Sequence, residues 1–496
     1  MIEQLPILNM LLFLAMALLI PLLRKKAFNT TLWIGGAVLV AVLVSSLFVV
    51  MHVSTVGPIV YQFGNHPSFI GIEFKIDSLA AIIAFFIVGL SIFIYIYSCG
   101  DATEGIEEKE YGRYYILLFI LLFAIFGMLY TNDLFNTYVF MEIMSITTCA
   151  IISIKRKKET YTSAFRYVML NEIGSLSFLF GVALLYMITG YTNIDLVSNM
   201  IQGNWMTFST NIIIALGFMI IGVGIKAAIF PFHIWLPDAH SSAPSSSSAT
   251  LSAIVVKVYI VVLIKVLFKV FKLDILNHFN ISTILIIIAS VGMIMGSMFA
   301  IAQKDVKRML GYSSVSQIGY IVMGIGLFSS LGLGASIFHI ISHGMMKAAL
   351  FLSVGVMIYK KKIKKVSEFA GIGFQLPVTM GVFSIAALGM IGIPMTSGFI
   401  SKLNLGLAAL DHEQGILIII VILSGLLNVI YYLPIIINAF LKNNPERVRD
   451  MRIEKIPATM LVPIVALGIA ILGFGLFPNW VMGIIENAVA TIGLPG

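Results

Sequence analysis

Charged residues and cysteines are both scarce in this sequence, and each scarcity excludes a class of protein. Only 11% of the 496 residues are Asp, Glu, Lys or Arg, whereas 59% are hydrophobic and the mean hydropathy is +1.02. A soluble chain carries about 25% charged residues, so a soluble multidomain protein is excluded. The cysteines, Cys99 and Cys149, are too few for a disulfide framework or an iron–sulfur cluster.

Two familiar sequence signals are also missing. The chain has no Walker loop, which argues against nucleotide-driven pumping within it. The first apolar run, near residues 5–23, has Glu3 before it and Arg24, Lys25 and Lys26 after it. This charge order is the reverse of a cleavable signal peptide and predicts a first membrane-spanning helix.

Long apolar runs occupy most of the chain. Runs of about 20 residues, enough to cross a bilayer as a helix, recur along the whole sequence. They begin near residues 5, 32, 78, 114, 133, 164, 211, 246, 283, 309, 332, 375, 414 and 459. We therefore predict an all-α polytopic membrane protein with about fourteen transmembrane helices.

The basic residues between these runs predict the orientation. Most of the 31 Lys and Arg residues fall in alternate loops, at 24–26, 109–113, 155–158, 304–308, 360–365 and 442–455. The positive-inside rule then places both termini outside a cell membrane. We interpret the basic loops as topological anchors, and contact with acidic lipid head groups or a docked soluble partner is the alternative.

Five lysines, two glutamates and two histidines interrupt the apolar runs. They are Lys226, Lys257, Lys265, Lys347, Lys402, Glu142, Glu172, His339 and His343. A charge at the bilayer centre costs roughly 2.5–3.5 kcal/mol. These side chains are therefore expected to pair, to lose their charge or to line a hydrated internal path, a pattern typical of an ion conductor.

The two glutamates have different interpretations. Asn132 and Asp133 mark the membrane surface, so Glu142 is predicted to lie deep in the fifth helix rather than at its end. Glu172 and Arg166 lie six residues apart at the start of the sixth helix. For these two residues we favour a stabilising ion pair.

The lysines and histidines of the eighth and eleventh helices follow helical spacings. Lys257 and Lys265 are separated by about 12 Å of helix rise, so both can border one path, although we favour Lys265 as an interfacial lysine. His339, His343 and Lys347 are spaced i, i+4, i+8 and share one face. Imidazole titrates near neutral pH, so this stripe can carry protons. Histidines satisfied by carbonyls are one alternative, and a metal or haem pair is disfavoured by the nearby lysine.

Two helices are predicted to be broken. In the seventh, Pro231 follows Lys226, and in the twelfth, Gly392 and Pro394 precede Lys402. Proline removes a backbone donor, and in lipid the freed carbonyl needs protein or water. Broken, lysine-bearing helices of opposite direction in the two halves indicate inverted repeats around a midplane site, with ordinary proline kinks as the alternative.

The polar segments are short. The serine-rich stretch 240–249 is predicted to be a polar turn that opens the eighth helix with a serine N-cap, not a flexible linker. The chain ends soon after its last apolar run, so we expect no additional lateral helix.

Several motifs of this chain form a recognisable set. The most specific is Lys-Ala-Ala-Ile-Phe-Pro-Phe-His-Ile-Trp-Leu-Pro-Asp-Ala-His at 226–240, and others lie at 305–314, 339–347 and 392–402. Over nearly its whole length the chain resembles the antiporter-like subunits shared by complex I and the Mrp-type cation/proton antiporters. Members often carry an acidic residue and a valine where this chain has Ser242 and Ser248, so we assign no acidic role to that loop.

The resemblance implies a division of the chain. It implies two inverted five-helix repeats, at 111–272 and 273–441, between an N-terminal three-helix segment at 1–110 and a C-terminal loop and helix at 442–496. It also implies a central hydrophilic axis. A lysine at position 402 and the expected lack of a lateral helix are similar to the Mrp D-type subunit or a related hydrogenase subunit.

The resemblance also implies residue roles. Glu142 and Lys226 would form a carboxylate–lysine pair in the first half, Lys257 would be the connecting lysine and Lys402 the terminal relay. With the stripe of His339, His343 and Lys347, these are the candidate proton-translocating residues.

We expect such a chain to move protons, with sodium exchange left open, together with other membrane subunits in the lipid bilayer. We expect no cofactor, metal, catalytic or nucleic-acid site. The alternatives are a self-contained transporter of a small anion and a structural anchor of a redox complex.

Overall fold

The structure of the protein is a computed structural model that describes residues 2–23, 28–101, 105–441 and 454–495. Nearly all of it is helical, as predicted. Twelve helices in these ranges are long and apolar enough to cross a membrane. The helix Val306–Gly326 and the two short helices Pro377–Ile391 and Ser397–Asp411 lie where two further spans were predicted.

The first half of the chain runs to residue 278. Its helices are α1 (Leu5–Leu23), α2 (Phe28–Thr55), α3 (Ser78–Asp101), α4 (Tyr111–Tyr130), α5 (Leu134–Ser153), α6 (Lys158–Thr189), α7 (Ile194–Asn204), α8 (Ser209–Lys226), α9 (Trp235–Ser242), α10 (Ser245–Thr250), α11 (Val256–Ile264) and α12 (Lys272–His278). Two π-helical segments, Leu251–Val255 and Lys265–Phe271, join α10 to α12 into one continuous span.

The second half contains the remaining helices. They are α13 (Ile281–Ile301), α14 (Val306–Gly326), α15 (Ser330–Lys361), α16 (Ile372–Gln375), α17 (Pro377–Ile391), α18 (Ser397–Asp411), α19 (Gly415–Phe440), α20 (Ala458–Leu476) and α21 (Pro478–Ala490). Short 3₁₀ turns lie at Ile2–Gln4, Phe63–Asn65, Glu108–Glu110 and Val366–Phe369.

Two spans form the centre of the molecule. The span Ser245–His278 and helix α15 are each entirely buried over their most apolar part. Helix α15 packs against α14, α17, α18 and α20, and also against the π-helical segment Leu251–Val255. These two spans carry Lys257 and the stripe of His339 to Lys347, so the fold places the predicted titratable groups in its interior rather than on its lipid-facing surface.

The connecting loops alternate between two faces. One, which we name the hairpin face, carries strands β1 (Ile59–Gln62) and β2 (Glu73–Ile76), paired antiparallel with Ile59 opposite Ile76. The opposite, basic face carries the loops before α6, α14 and α16. Some basic residues used to predict the orientation lie outside the described residues; they are Arg24, Lys25, Lys26, Lys442, Arg447, Arg449 and Arg452.

A buried carboxylate organises the hairpin face. Glu73 accepts hydrogen bonds from Ser68 at 2.5 Å, Asn132 at 2.7 Å, Gln62 at 3.4 Å and Asn193 at 3.5 Å. Burial by itself raises the pKa of Glu73, but these four hydrogen bonds outweigh it and hold the pKa below its ordinary value. One side chain thus joins the hairpin to the loops before α5 and α7.

Three details differ from the sequence prediction. Helix α21 follows the last span and was not predicted. Its buried residues Val481, Ile485 and Ala488 recur at helical spacing in a segment too short to cross a bilayer, which a search for 20-residue runs misses. The serine N-cap is also wrong, because α10 begins after Pro244 and no serine side chain caps it. The short helix α7 was not predicted.

We predict that Gly398 is required for the close packing of the broken helix α17–α18. A Cβ atom at Gly398 would overlap the backbone carbonyl of Gly389, which cannot move aside as a side chain can. Gly398→Ala should therefore destabilise the protein by about 1–3 kcal/mol, as overpacking does. Gly406→Ala is the matched control, because a Cβ atom at this position of the same helix would have no neighbouring heavy atom within 4 Å. Equal thermal unfolding midpoints for the two variants would contradict this packing.

We predict a pH-dependent stability of the hairpin face from Glu73. Because its folded pKa is depressed, its contribution is complete above the ordinary value of about 4.5 and is lost as the pH falls through the folded pKa. Hydrogen exchange over residues 59–76 should show this loss. Glu73→Gln should lower protection at neutral pH by about 1.5–3 kcal/mol and remove the acid dependence. Glu159→Gln, exposed on the basic face, should behave like the parent. If Glu73→Gln still lost protection at low pH as the parent does, Glu73 would not be the group responsible.

Candidate functional site

All five intramembrane lysines are buried inside the protein. Their exposed fractions are 0% for Lys226 and Lys347, 2% for Lys257, 5% for Lys265 and 8% for Lys402. Each ammonium group contacts polar atoms of neighbouring helices or of its own span. The expectation that these charges do not face lipid is therefore met.

The structure brings Lys226 and Glu142 together. Lys226 is the last residue of α8, and its Nζ lies 3.6 Å from Glu142 Oε1 of α5. The same Nζ donates to Ser145 Oγ at 2.5 Å. Ser145 is 3.3 Å from the hydroxyl of Tyr259, whose ring centroid is 5.6 Å from the ammonium. Ser145 and Tyr259 were not predicted, although Ser145 lies three residues after Glu142 and so shares its helix face.

The break after α8 is stabilised by an aromatic donor. The chain turns at residues 227–234, which include Pro231, before α9 begins at Trp235. Trp235 Nε1 donates to the backbone carbonyl of Ile225 at 2.8 Å. The same carbonyl accepts from the backbone N–H of Ala228 at 3.2 Å, so Trp235 is an additional donor that connects the start of α9 to the end of α8.

Two lysines, Lys257 and Lys347, lie on the two central spans. Lys257 Nζ donates to the carbonyl of Ser252, in the π-helical segment one turn earlier. Ser252 Oγ lies 2.9 Å from Ser314 Oγ of α14. Lys347 of α15 also binds α14, donating to the carbonyl of Leu310 at 2.7 Å and to Ser313 Oγ. Helix α14 therefore contacts the polar groups of both central spans.

The histidine stripe connects this centre to the second broken helix. His343 and His339 stack with ring centroids 5.7 Å apart and an interplanar angle of 14°. His339 Nδ1 lies 2.8 Å from Ser401 Oγ, and Ser401 precedes Lys402 in α18. The predicted i, i+4, i+8 face is thus present, and it leads from Lys347 toward Lys402.

Lys402 closes the second break. Its Nζ donates to the carbonyls of Met390 at 2.7 Å and Ile391 at 3.0 Å, at the end of α17. The ring of Tyr320 lies 4.6 Å from the same ammonium. Pro394 has no N–H for the Met390 carbonyl, four residues earlier, so Lys402 satisfies an acceptor that the break leaves open.

Lys265 does not behave as predicted. It was expected to reach the membrane surface, but its Nζ is buried and donates to the carbonyls of Met128, Leu129 and Thr131. These carbonyls lie at or just beyond the C-terminal end of α4, where intrahelical donors run out. The ammonium therefore acts as a helix cap from a neighbouring span.

The Glu172–Arg166 ion pair is also wrong. Arg166 pairs with Asp238 of α9 at 2.7 Å, and Arg308 of α14 reaches the same carboxylate at 3.2 Å. Residues six apart on a helix point to different sides, which explains the error. Glu172 instead lies close enough to Glu142 for their carboxyl groups to interact.

The described residues contain no group of three or more His, Cys, Asp and Glu side chains placed to hold a metal ion. The polar groups instead form a row through both halves. It runs from Glu142 and Lys226 through Lys257 and Lys347 to the histidines and Lys402. Such groups can bind and release protons, and serine and tyrosine hydroxyls between them can donate and accept hydrogen bonds. The arrangement is suited to passing a positive charge through an otherwise apolar interior.

Comparison with known proteins gives consistent similarities. The family described as NADH:quinone oxidoreductase/Mrp antiporter, TM, matches residues 131–427. NADH-quinone oxidoreductase subunit N of Desulforudis audaxviator is 35% identical, over 96% of this chain and 96% of that protein. The D-type subunit of the Na⁺/H⁺ antiporter from Alkalihalophilus pseudofirmus is 30% identical, over 90% of this chain and 89% of that protein.

A solved structure agrees with these sequence similarities. A chain of the membrane-bound sulfane sulfur reductase, an archaeal respiratory membrane complex, superposes with a TM-score of 0.90 at 26% identity. The match covers 99% of this chain and 98% of that chain. The similarity therefore extends over both halves of the molecule.

We predict that Lys265 stabilises the protein rather than carrying protons. Lys265→Leu leaves carbonyls at the end of α4 without a donor, at a cost of about 1–3 kcal/mol. The thermal unfolding midpoint of the purified protein should fall, while transport per folded molecule should stay near the parent value. Lys158→Leu, exposed on the basic face, should leave both unchanged. Loss of transport without loss of stability would place Lys265 in the conducting path instead.

Proposed function

Because the chain belongs to the NADH:quinone oxidoreductase/Mrp antiporter family, we propose that it translocates protons as an antiporter-like subunit of a multisubunit membrane complex. Its homologues are antiporter-like subunits of the Mrp antiporter and of complex I. The observation that carries the proposal is the Lys226–Glu142 pair, 3.6 Å apart, in which Lys226 is fully buried and Glu142 is half-buried. The pair lies at one end of a row of protein-enclosed lysines and histidines.

The Glu142–Lys226 pair serves as the gate of the first half. While the carboxylate is close, it stabilises the ammonium form of Lys226. When the two separate, burial favours the neutral amine and the proton moves on. Ser145 contacts the ammonium at 2.5 Å and Tyr259 OH at 3.3 Å, so it supports this movement toward the span that carries Lys257. Re-forming the pair reloads the site.

The second half continues the path. From Lys257 the proton passes to the region of Lys347 and along the stacked His343 and His339 rings. It then reaches Lys402, next to Ser401. Each of these groups lies in protein rather than in lipid, which lowers the cost of carrying charge across the bilayer. We assign residues 111–272 to the inlet half and 273–441 to the outlet half.

We expect the other subunits of the complex to carry out the reaction that is coupled to proton movement. Moving one charge across 100 mV exchanges about 2.3 kcal/mol, so a few protons can drive, or be driven by, a partner reaction. The structural relatives are multisubunit membrane complexes, which supports other membrane subunits as partners. We propose a cell membrane as the location, with both termini outside, protons as the transported ion and sodium as a counter-ion to be tested in the same assay.

The proposal predicts that Lys226→Ala and Glu142→Gln abolish the gate. In the complex purified with its partner subunits and reconstituted into vesicles, either change should lower proton transport about tenfold or more, which corresponds to about 1.4 kcal/mol in activation free energy. The readout is the rate of pH change inside the vesicles, with and without external sodium. Lys158→Ala, at the exposed start of α6, is the matched lysine control.

Wild-type transport by Lys226→Ala would show that the pair is not a gate. Two other outcomes would point to the alternative functions. Loss of complex assembly in Glu142→Gln with normal transport by the complexes that do form would indicate a structural anchor. Transport of a small anion by the isolated chain would indicate a self-contained transporter.

A further inference from the structure

The two broken helices hold their lysines in different ways. Lys226 has a carboxylate partner, Glu142, at 3.6 Å. The described contacts of Lys402 are with neutral groups only, namely two backbone carbonyls and the ring of Tyr320. In the first half, separation of the carboxylate from Lys226 would favour proton release. Lys402 has no such carboxylate, so the release of its proton requires a different mechanism.

The acceptors of Lys402 exist because of the helix break. Pro394 cannot donate to the carbonyl of Met390, and Met395 follows with a left-handed φ of 73°, so the helical hydrogen bonds end at α17. If Lys402 were the only donor to the Met390 carbonyl, its departure would leave a buried acceptor without a donor. An unsatisfied buried carbonyl is unfavourable, so by itself it would hold the ammonium in place.

Asn428 provides a second donor to the same carbonyl. It lies fully buried in the middle of α19, and its Nδ2 donates to Met390 at 3.1 Å. Its Oδ1 accepts from Tyr431 OH at 2.6 Å and from Ser297 Oγ at 3.3 Å. The hydrogen bond from the Tyr431 hydroxyl fixes the amide so that its nitrogen faces Met390. Nothing in the family resemblance assigned a role to this residue.

We propose that Asn428 is a positioning residue that makes proton release from Lys402 possible. It shares the Met390 carbonyl with the ammonium and keeps that carbonyl satisfied when Lys402 becomes neutral or moves. Tyr431 holds the amide in the orientation that this requires. The inference rests on the proposed function and adds to it a release device for the second half that differs from the carboxylate gate of the first.

Other titratable groups also face Lys402. His339 and His343 approach from α15, Tyr320 from α14, and Tyr431 lies beside Asn428 on α19. Helices α17 and α20, which also pack on α18, carry no charged residue. His339 is therefore the main competing source of a pH effect, and the test includes it.

The experiment measures proton transport by the reconstituted complex as a function of pH. Asn428→Leu removes the competing donor, so Lys402 should hold its proton more firmly. The midpoint of the profile should then move to higher pH by about one unit, a tenfold change in proton binding. Asn428→Asp keeps the size and adds a carboxylate, so its shift should be larger in the same direction. Asn438→Leu, in the same helix ten residues further on, should leave the midpoint unchanged.

The outcomes separate a positioning role from a structural one. A lower rate with the parent's midpoint in both Asn428 variants overturns the inference. The shift caused by Asn428→Leu should persist in a His339→Gln background, and its disappearance there would assign the effect to the histidine and overturn the inference as well. If Asn428→Leu does not assemble, Asn428→Ala, which also removes the donor and adds no charge, decides by the same criterion.

The test also distinguishes this inference from the proposed function. Full transport by Lys402→Ala would refute the role of Lys402 in the path. Loss of transport in Lys402→Ala together with unchanged midpoints in the Asn428 variants would refute only the inference.

Discussion

The requirement that every buried backbone carbonyl has a donor governs this molecule. Breaking a helix inside the membrane frees carbonyls that water cannot reach, so side chains must satisfy them. Lys402 does so after α17, and Lys265 does so at the end of α4. At the break after α8, Trp235 adds a donor to the carbonyl of Ile225. The ammonium group of Lys402 is thereby held in the interior by the break that it satisfies.

The two halves use this constraint differently. In the first half Trp235 binds a carbonyl at the break, and Lys226 binds Glu142 and Ser145. In the second half the lysine itself caps the break and shares its acceptor with Asn428. The first lysine is therefore held by a charged partner, and the second is held by neutral acceptors that it shares with an amide. Between them lie two spans that are entirely buried over their most apolar part.

Particular residues show why sequence reasoning succeeded or failed. The prediction that Glu142 lies deep in its helix came from its distance from the polar boundary at Asn132, and the structure places its carboxylate 3.6 Å from Lys226. Lys265 was predicted to lie at the membrane interface, because its position along its own helix does not reveal the carbonyl acceptors at the end of α4. The partner of Arg166 was wrong for a related reason, since Asp238 comes from another helix, 72 residues away in the chain. Contacts between spans are not encoded in the spacing within one span.

The amino-acid sequence by itself determined the membrane class, the two breaks and the identity of the buried lysines and histidines. These follow from hydropathy, proline and helical periodicity, which are local properties. Only the tertiary structure decided which groups touch: Lys226 with Glu142, Lys347 with α14, and Asn428 with the carbonyl that Lys402 binds. The physical reason is that an uncharged amide or serine in an apolar helix has no distinguishing pattern until packing brings it to a partner.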